Sequence, residues 1–241
     1  MNRRACEMKS NCHEHLIRAA LLCLVLFFSV IVTSCAKPAA TPIRNVLLEI
    51  VTSCIDVDAP GYCDHCIAPR TGSPCAAGRG CRETTDVWAE TKDYIVMRDR
   101  KMCGCPADFV HGLVIPRTPV IGVEDQRKPD GIWKFAWEAA RKKIANESEI
   151  ALAVNPPDKR NQDQLHIHIA RLNSNVRPGF DSSRKITTRS LDDVWRAAAK
   201  KAEEAELLHY GILVAKEGEA GFVVVVADES TEKAFTQWGC R

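Results

Sequence analysis

The stretch Gln164-Leu165-His166-Ile167-His168-Ile169-Ala170 alternates polar and branched apolar residues, and it constrains the fold more than any other part of the chain. A period of two belongs to a strand with one buried face. The spacing predicts Leu165, Ile167 and Ile169 on one side and Gln164, His166 and His168 on the other. At about 3.3 Å rise per residue, the two imidazoles stand about 6.6 Å apart, on an element that holds side chains more firmly than a loop does. Ala151-Leu152-Ala153-Val154-Asn155 reads as a second strand ending in a polar residue. The Pro-, Asp-, Lys- and Asn-rich run up to Gln164 is then the turn between the two.

Other elements follow from the same kind of pattern. Apolar residues at Ile43, Val46, Leu47, Ile50 and Val51 behind Pro42 predict a helix to about Cys54. Segments 93–97 and 112–115 predict antiparallel strands, and 210–215 with 222–227 a hairpin. Asp130 is placed to cap a helix running to about Asn146, with Trp133 and Trp137 as packing residues. Ser190, with Asp193 three residues on, predicts a capped helix to about Leu208, and 173–189 reads as loop. Strands mixed with two long helices, without regular βαβ alternation, indicate an α+β domain on an antiparallel sheet.

The N-terminal segment points to export. Arg3, Arg4, Lys9 and Arg18 precede an uncharged run from Ala19 to Ala36, the order of a signal sequence. Val32-Thr33-Ser34-Cys35 resembles a lipoprotein processing site whose cysteine is acylated; the alternative is an uncleaved anchor, since about 18 uncharged residues just span a bilayer. Either reading sets 1–35 apart as a targeting segment and 36–241 as a single domain beside a bacterial membrane, on its periplasmic side. Of 33 basic and 31 acidic residues, four and two lie before Cys35, leaving 29 of each. So balanced a chain lacks the basic footprint of a nucleic-acid binder. Beyond Cys35 there are eight cysteines, Cys54, Cys63, Cys66, Cys75, Cys81, Cys103, Cys105 and Cys240. An even count in an oxidising compartment predicts disulfides that staple the 54–105 insertion. A zinc knot on Cys63, Cys66, Cys75 and Cys81 has the right ligand count but the wrong compartment.

Two motifs together carry a resemblance. Gln164-Leu-His166-Ile-His168-Ile-Ala170 resembles the His-φ-His-φ-His-φ-φ signature of the histidine-triad (HIT-like) superfamily, φ being apolar, with glutamine in place of the first histidine. His111-Gly-Leu-Val-Ile-Pro116-Arg117 resembles the superfamily's second hallmark, a strand of the form His-x-Leu-Val-Ile-Pro followed by a basic residue. The runs 151–155 and 160–169 are most similar to the bacterial CDP-diacylglycerol pyrophosphatases, over residues 42–227. The resemblance implies a HIT-like antiparallel sheet with packed helices and hydrolysis of CDP-diacylglycerol to CMP and phosphatidate without a cofactor or metal. It implies that His166 forms a covalent nucleotidyl-histidine and that His168 donates to phosphate. Gln164, Asn155, Gln162 and His111 are then substrate-binding candidates. Arg160 and Arg177 read either as further phosphate partners or as simply solvated arginines.

The chemistry suits the residue type. A neutral imidazole is a good nucleophile toward phosphorus and titrates near neutral pH. Two other readings stand beside this one. His-x-His on a strand also chelates zinc, giving a metal-dependent phosphohydrolase, although no Asp- or Glu-rich motif supplies further ligands. The third is a non-catalytic, disulfide-stapled binding module in which hydrogen bonds merely satisfy the histidines.

Overall fold

The computed structural model describes residues 44–58, 66, 68–73, 75, 83–176, 180–219 and 221–240. The segment read as a targeting sequence, with Cys35, and Cys63, Cys81 and Arg177 lie outside them. Among the described residues one antiparallel sheet has eight strands: β1 (Val87–Glu90), β2 (Tyr94–Arg98), β3 (His111–Pro116), β4 (Ile150–Val154), β5 (Ile167–Arg171), β6 (Lys185–Thr188), β7 (Gly211–Glu217) and β8 (Gly221–Ala227). Their order across the sheet is β1-β2-β3-β5-β4-β7-β8-β6. The α+β class and antiparallel sheet expected from the sequence are thus what the chain forms. The inner strands β3 and β4, His-Gly-Leu-Val-Ile-Pro and Ile-Ala-Leu-Ala-Val, are buried along their whole length, as strands covered on both faces are.

The two faces are covered differently. On one, Leu152, Ile167, Ile169, Ile212, Val214, Val224 and Val226 pack against α2 (Ile132–Arg141) and α3 (Val194–Glu204). Trp133, fully buried, meets Trp195 edge-on at 4.9 Å, and Trp137 meets Phe222 at 5.0 Å; both tryptophans are packing residues. On the other face, α1 (Val46–Glu49), continued by a wider turn over Ile50–Cys54, covers Ile95, Met97, Leu113 and Ile115. A separate cluster covers Ala151, Ala153, Leu213 and Val223. Leu165, Ile167 and Ile169 all lie on the helix-covered face. Alternation therefore puts the histidines on the other face, between its two apolar clusters.

Several local expectations are corrected. The residue at the N-cap position of α2 is Gly131, with no capping side chain, and this helix ends at Arg141 rather than near Asn146. Ser190 accepts from the amide of Asp192, capping a tight turn, and α3 begins only at Val194 and ends at Glu204. The segment read as loop contains β6, an edge strand pairing with β8. The histidine strand proper starts at Ile167; Gln164 makes an isolated bridge to Ile121. Lys200 and Lys201 both pair with Glu204 on the exposed face of α3.

Cys54 is bonded to Cys66 and Cys105 to Cys240, and Cys75 and Cys103 are also disulfide-bonded. Cys66 is therefore not a zinc ligand. The Cys105–Cys240 bond ties down the tail that follows α4 (Thr231–Phe235). Backbone bonds from Asn173 N to Phe235 O and from Gln237 N to Arg171 O fasten the same tail to the end of β5. Gly211 makes the docking of α4 feasible: a Cβ there would lie 2.5 Å from the Val154 carbonyl and 2.8 Å from the Thr231 methyl.

Candidate active site

Four segments converge on the histidines. In register, His168 on β5 stands opposite Leu113 of β3 and Ala153 of β4, while His111 on β3 stands opposite Ala170. The rings of His111 and His168 stack at 5.3 Å, and His166 meets His168 edge-on at 4.9 Å. All three are buried, His111 completely. The turn after β2 brings Asp99 and Lys101, and α4 brings Glu232.

His166 has a defined tautomer. Its Nδ1 lies 2.8 Å from the carbonyl oxygen of Gln164. A carbonyl only accepts, so Nδ1 carries the proton and Nε2 keeps its lone pair. Burial lowers the His166 pKa below its ordinary 6.5, which keeps the ring neutral at physiological pH.

His168 is held differently. Asn155 accepts at Oδ1 from Ser230 Oγ at 2.9 Å and from the Glu232 amide at 3.2 Å, which fixes its Nδ2 as the end facing inward. That Nδ2 donates to Glu232 Oε2 at 3.1 Å and lies 3.5 Å from His168 Nε2. Facing a donor, Nε2 of the resting ring is an acceptor and the proton sits on Nδ1, 3.6 Å from Glu232 Oε1. Burial holds the His168 pKa well below 6.5.

Behind the two neutral rings is a charged layer. His111 places Nδ1 3.1 Å from Asp99 and Nε2 3.2 Å from Glu232. Burial alone pushes the His111 pKa down, but the two carboxylates at its nitrogens prevail and raise it. Burial likewise opposes ionisation of Asp99, yet the ion pair with His111 holds its pKa at about 2. Glu232 is lowered further despite its burial, by the cations beside it: the His111 imidazolium and Lys101, whose ammonium it receives. Two anions thus face two cations, an arrangement that buried charges require.

Asp99, His111 and His168 each direct one ligand-type atom to a common region, all within 4.8 Å of one another. The residues fit a resident metal poorly. Lys101 already supplies a cation at this carboxylate layer, and His111 faces an anion with each nitrogen.

The remaining sequence candidates take up bracing positions. Gln164 accepts from Val120 N at 3.2 Å and donates both amide hydrogens, to Pro116 O and Thr118 O at 2.9 Å each. Gln162 accepts from Leu47 N at the start of α1. Arg117, the basic residue of the second motif, clamps Glu90 and the Thr91 carbonyl. Arg160 is buried and paired with Glu124, its guanidinium filling the space above Gly122 where a Cβ would lie 2.0 Å from Nη1; it is not a solvated arginine. Asp99, Lys101 and Glu232 escaped sequence reading. Each sits in a charged or polar run, Arg98-Asp-Arg-Lys or Ser230-Thr-Glu-Lys, that reads as surface, and only Ser230 as a helix cap gave a signal.

Neutral, tautomer-fixed imidazoles beside a balanced charged layer suit attack on phosphorus, and comparison with known families agrees: the chain is a hydrolase acting on phosphorus-containing anhydrides. It belongs to the CDP-diacylglycerol pyrophosphatase family, whose sequence profile matches residues 75–208, more than half of the chain. Diphosphatase activity on CDP-diacylglycerol is the activity of that family. No curated protein matches the chain. The matched segment contains His111, Asn155, Gln162, Gln164, His166 and His168, and it ends before Glu232.

Proposed function

We propose that the chain hydrolyses CDP-diacylglycerol through a covalent cytidylyl-histidine on His166. The Nε2 lone pair attacks the phosphorus of the cytidylyl half, and the bond from that phosphorus to the bridging oxygen breaks. Phosphatidate departs with that oxygen and its electron pair. Water then attacks the same phosphorus, the P–N bond breaks, and CMP and a proton are released as His166 recovers its lone pair. The observation that carries this reading is the Nδ1–H bond to the Gln164 carbonyl, which aims an unprotonated Nε2 outward as an oriented nucleophile.

His168 donates to a phosphate oxygen in this scheme. Asn155 and His111 brace it, and Gln164 and Gln162 hold the surrounding loops. The domain works at a membrane surface, tethered through its N-terminus by acylated Cys35 or by an uncleaved helix. Support comes from the uncharged run at 19–36 and from the substrate itself, since withdrawing each acyl CH₂ from the bilayer costs about 0.8 kcal/mol. Among the described residues no helix is long and apolar enough to cross a membrane; the run at 19–36 lies outside them. The test is incubation of purified protein with CDP-diacylglycerol. CMP and phosphatidate in equal amounts from wild type, and none from His166→Ala that remains folded, is the expected result; undiminished turnover in His166→Ala would overturn it.

A further inference from the structure

The carboxylate that lies against both His111 and His168 comes from outside the segment that matches the family. Glu232 is one of the most buried acids among the described residues, and it gathers contacts from four places: Lys101 after β2, His111 on β3, Asn155 after β4 and His168 on β5. Its position is secured several times over. Ser230 caps α4, Thr231 Oγ1 donates to the Val154 carbonyl at 2.8 Å, and Thr236 Oγ1 donates to the carbonyl of Glu232 at 2.6 Å. The Cys105–Cys240 bond joins the same two regions that Lys101 and Glu232 join. A surface glutamate does not need such anchoring.

We propose that Glu232 is a positioning residue that keeps the His168 proton on Nδ1 at rest and supports the imidazolium when substrate phosphate arrives. The inference rests on the reading of His168 as the phosphate donor. At rest Nε2 of His168 has no proton to donate, because it faces the amide nitrogen of Asn155. To donate to phosphate, the ring takes up a proton from solvent at Nε2 and becomes positively charged in a buried place. Glu232 Oε1, 3.6 Å from Nδ1, supplies the countercharge, and the new charge draws that loose contact closer. Asp99, whose carboxylate lies within 4.8 Å of a His168 ring nitrogen while it pairs with His111 Nδ1, adds to that countercharge; opposing it are Lys101 and the His111 imidazolium, whose charges disfavour a cation on His168. Lys101 and Glu232 therefore act on His168 with opposite sign.

Two variants of the full chain in detergent micelles test this. Glu232→Gln should lower kcat about 10- to 100-fold, as loss of an outer orienting group typically does, and leave KM within about threefold. The pH above which kcat falls should move down, since the imidazolium has lost its partner. Lys101→Met should move that limb up. Imidazole ¹⁵N NMR provides a reading independent of turnover: His168 should carry its proton on Nδ1 in wild type and lose that preference in Glu232→Gln. If the wild type proves inactive on CDP-diacylglycerol, the proposed reaction fails, while the NMR result still decides the role of Glu232. An unchanged His168 tautomer in folded Glu232→Gln, or limbs that move the same way in both variants, overturns the inference.

Discussion

At the scale of residues, the decisive quantity is where protons sit. Because burial lowers the His166 pKa from 6.5, the nucleophile stays unprotonated into mildly acidic solution. The acid limb of kcat/KM, which reports the free enzyme, is therefore expected below pH 6.5; a limb at or above that value contradicts the assignment. His168→Ala should lower kcat by about 10²–10³, the usual effect of losing one preorganised donor, as measured by steady-state kinetics on protein whose circular dichroism is unchanged. His111→Ala leaves Asp99 and Glu232 without the cation between them and should cost roughly 3–5 kcal/mol of stability, read from urea unfolding. The sign with pH is also fixed. Asp99 has its folded pKa depressed to about 2, so its contribution is complete above the ordinary carboxylate value of 3.8 and is lost as pH falls through about 2. His166 and His168 were legible from sequence because period-two alternation names both the strand and the face. Asp99 and Glu232 were not, because a charged residue in a charged run shows nothing of the cavity that tertiary folding builds around it.

Among the elements, the long and strongly patterned ones were readable: β3, β4 and β5, the β7–β8 hairpin, and both long helices. The failures share a physical cause. β6 (Lys185–Thr188) is a short edge strand whose exposed side chains alternate with half-buried ones, so it owes its structure to pairing with β8 rather than to its own pattern. α4 spans five residues, too few to form without its docking contacts. That docking is testable at Gly211. A Cβ there would press on the Val154 carbonyl, and Gly211→Ala should lose about 1–3 kcal/mol, typical of overpacking, with a lower urea midpoint. Normal stability would mean that β7 and α4 can separate without cost. Replacing Cys240 by Ser should cost about 2–5 kcal/mol and lower activity at temperatures where the loosened tail frays. Full activity there would detach α4 from catalysis.

For the whole molecule, the proposed setting in an oxidising compartment beside a membrane rests on the even cysteine count and the uncharged N-terminal run, and both grounds are testable. Thiol titration of the denatured, unreduced chain should find no free thiol at the eight positions from Cys54 to Cys240; several free thiols, or stoichiometric zinc, would contradict the framework. Intact-mass analysis of membrane-extracted protein tests the tether: a start at Cys35 with acyl mass, or a chain retaining residues 1–34, supports it, and a soluble product cleaved elsewhere does not. Activity should persist in chelator, because His111 already faces a carboxylate with each ring nitrogen and so is not free to hold a metal with Asp99 and His168; loss in chelator with recovery on adding zinc would favour the metal-dependent alternative. The central claim, a covalent bond to His166, is tested most directly by acid-free quenching during turnover of cytidylyl-labelled CDP-diacylglycerol and peptide mass spectrometry. The account predicts one cytidylyl group on His166, on a phosphoramidate bond stable to base and labile to acid. Continued turnover with that peptide unlabelled, or with the label on another residue, would contradict it.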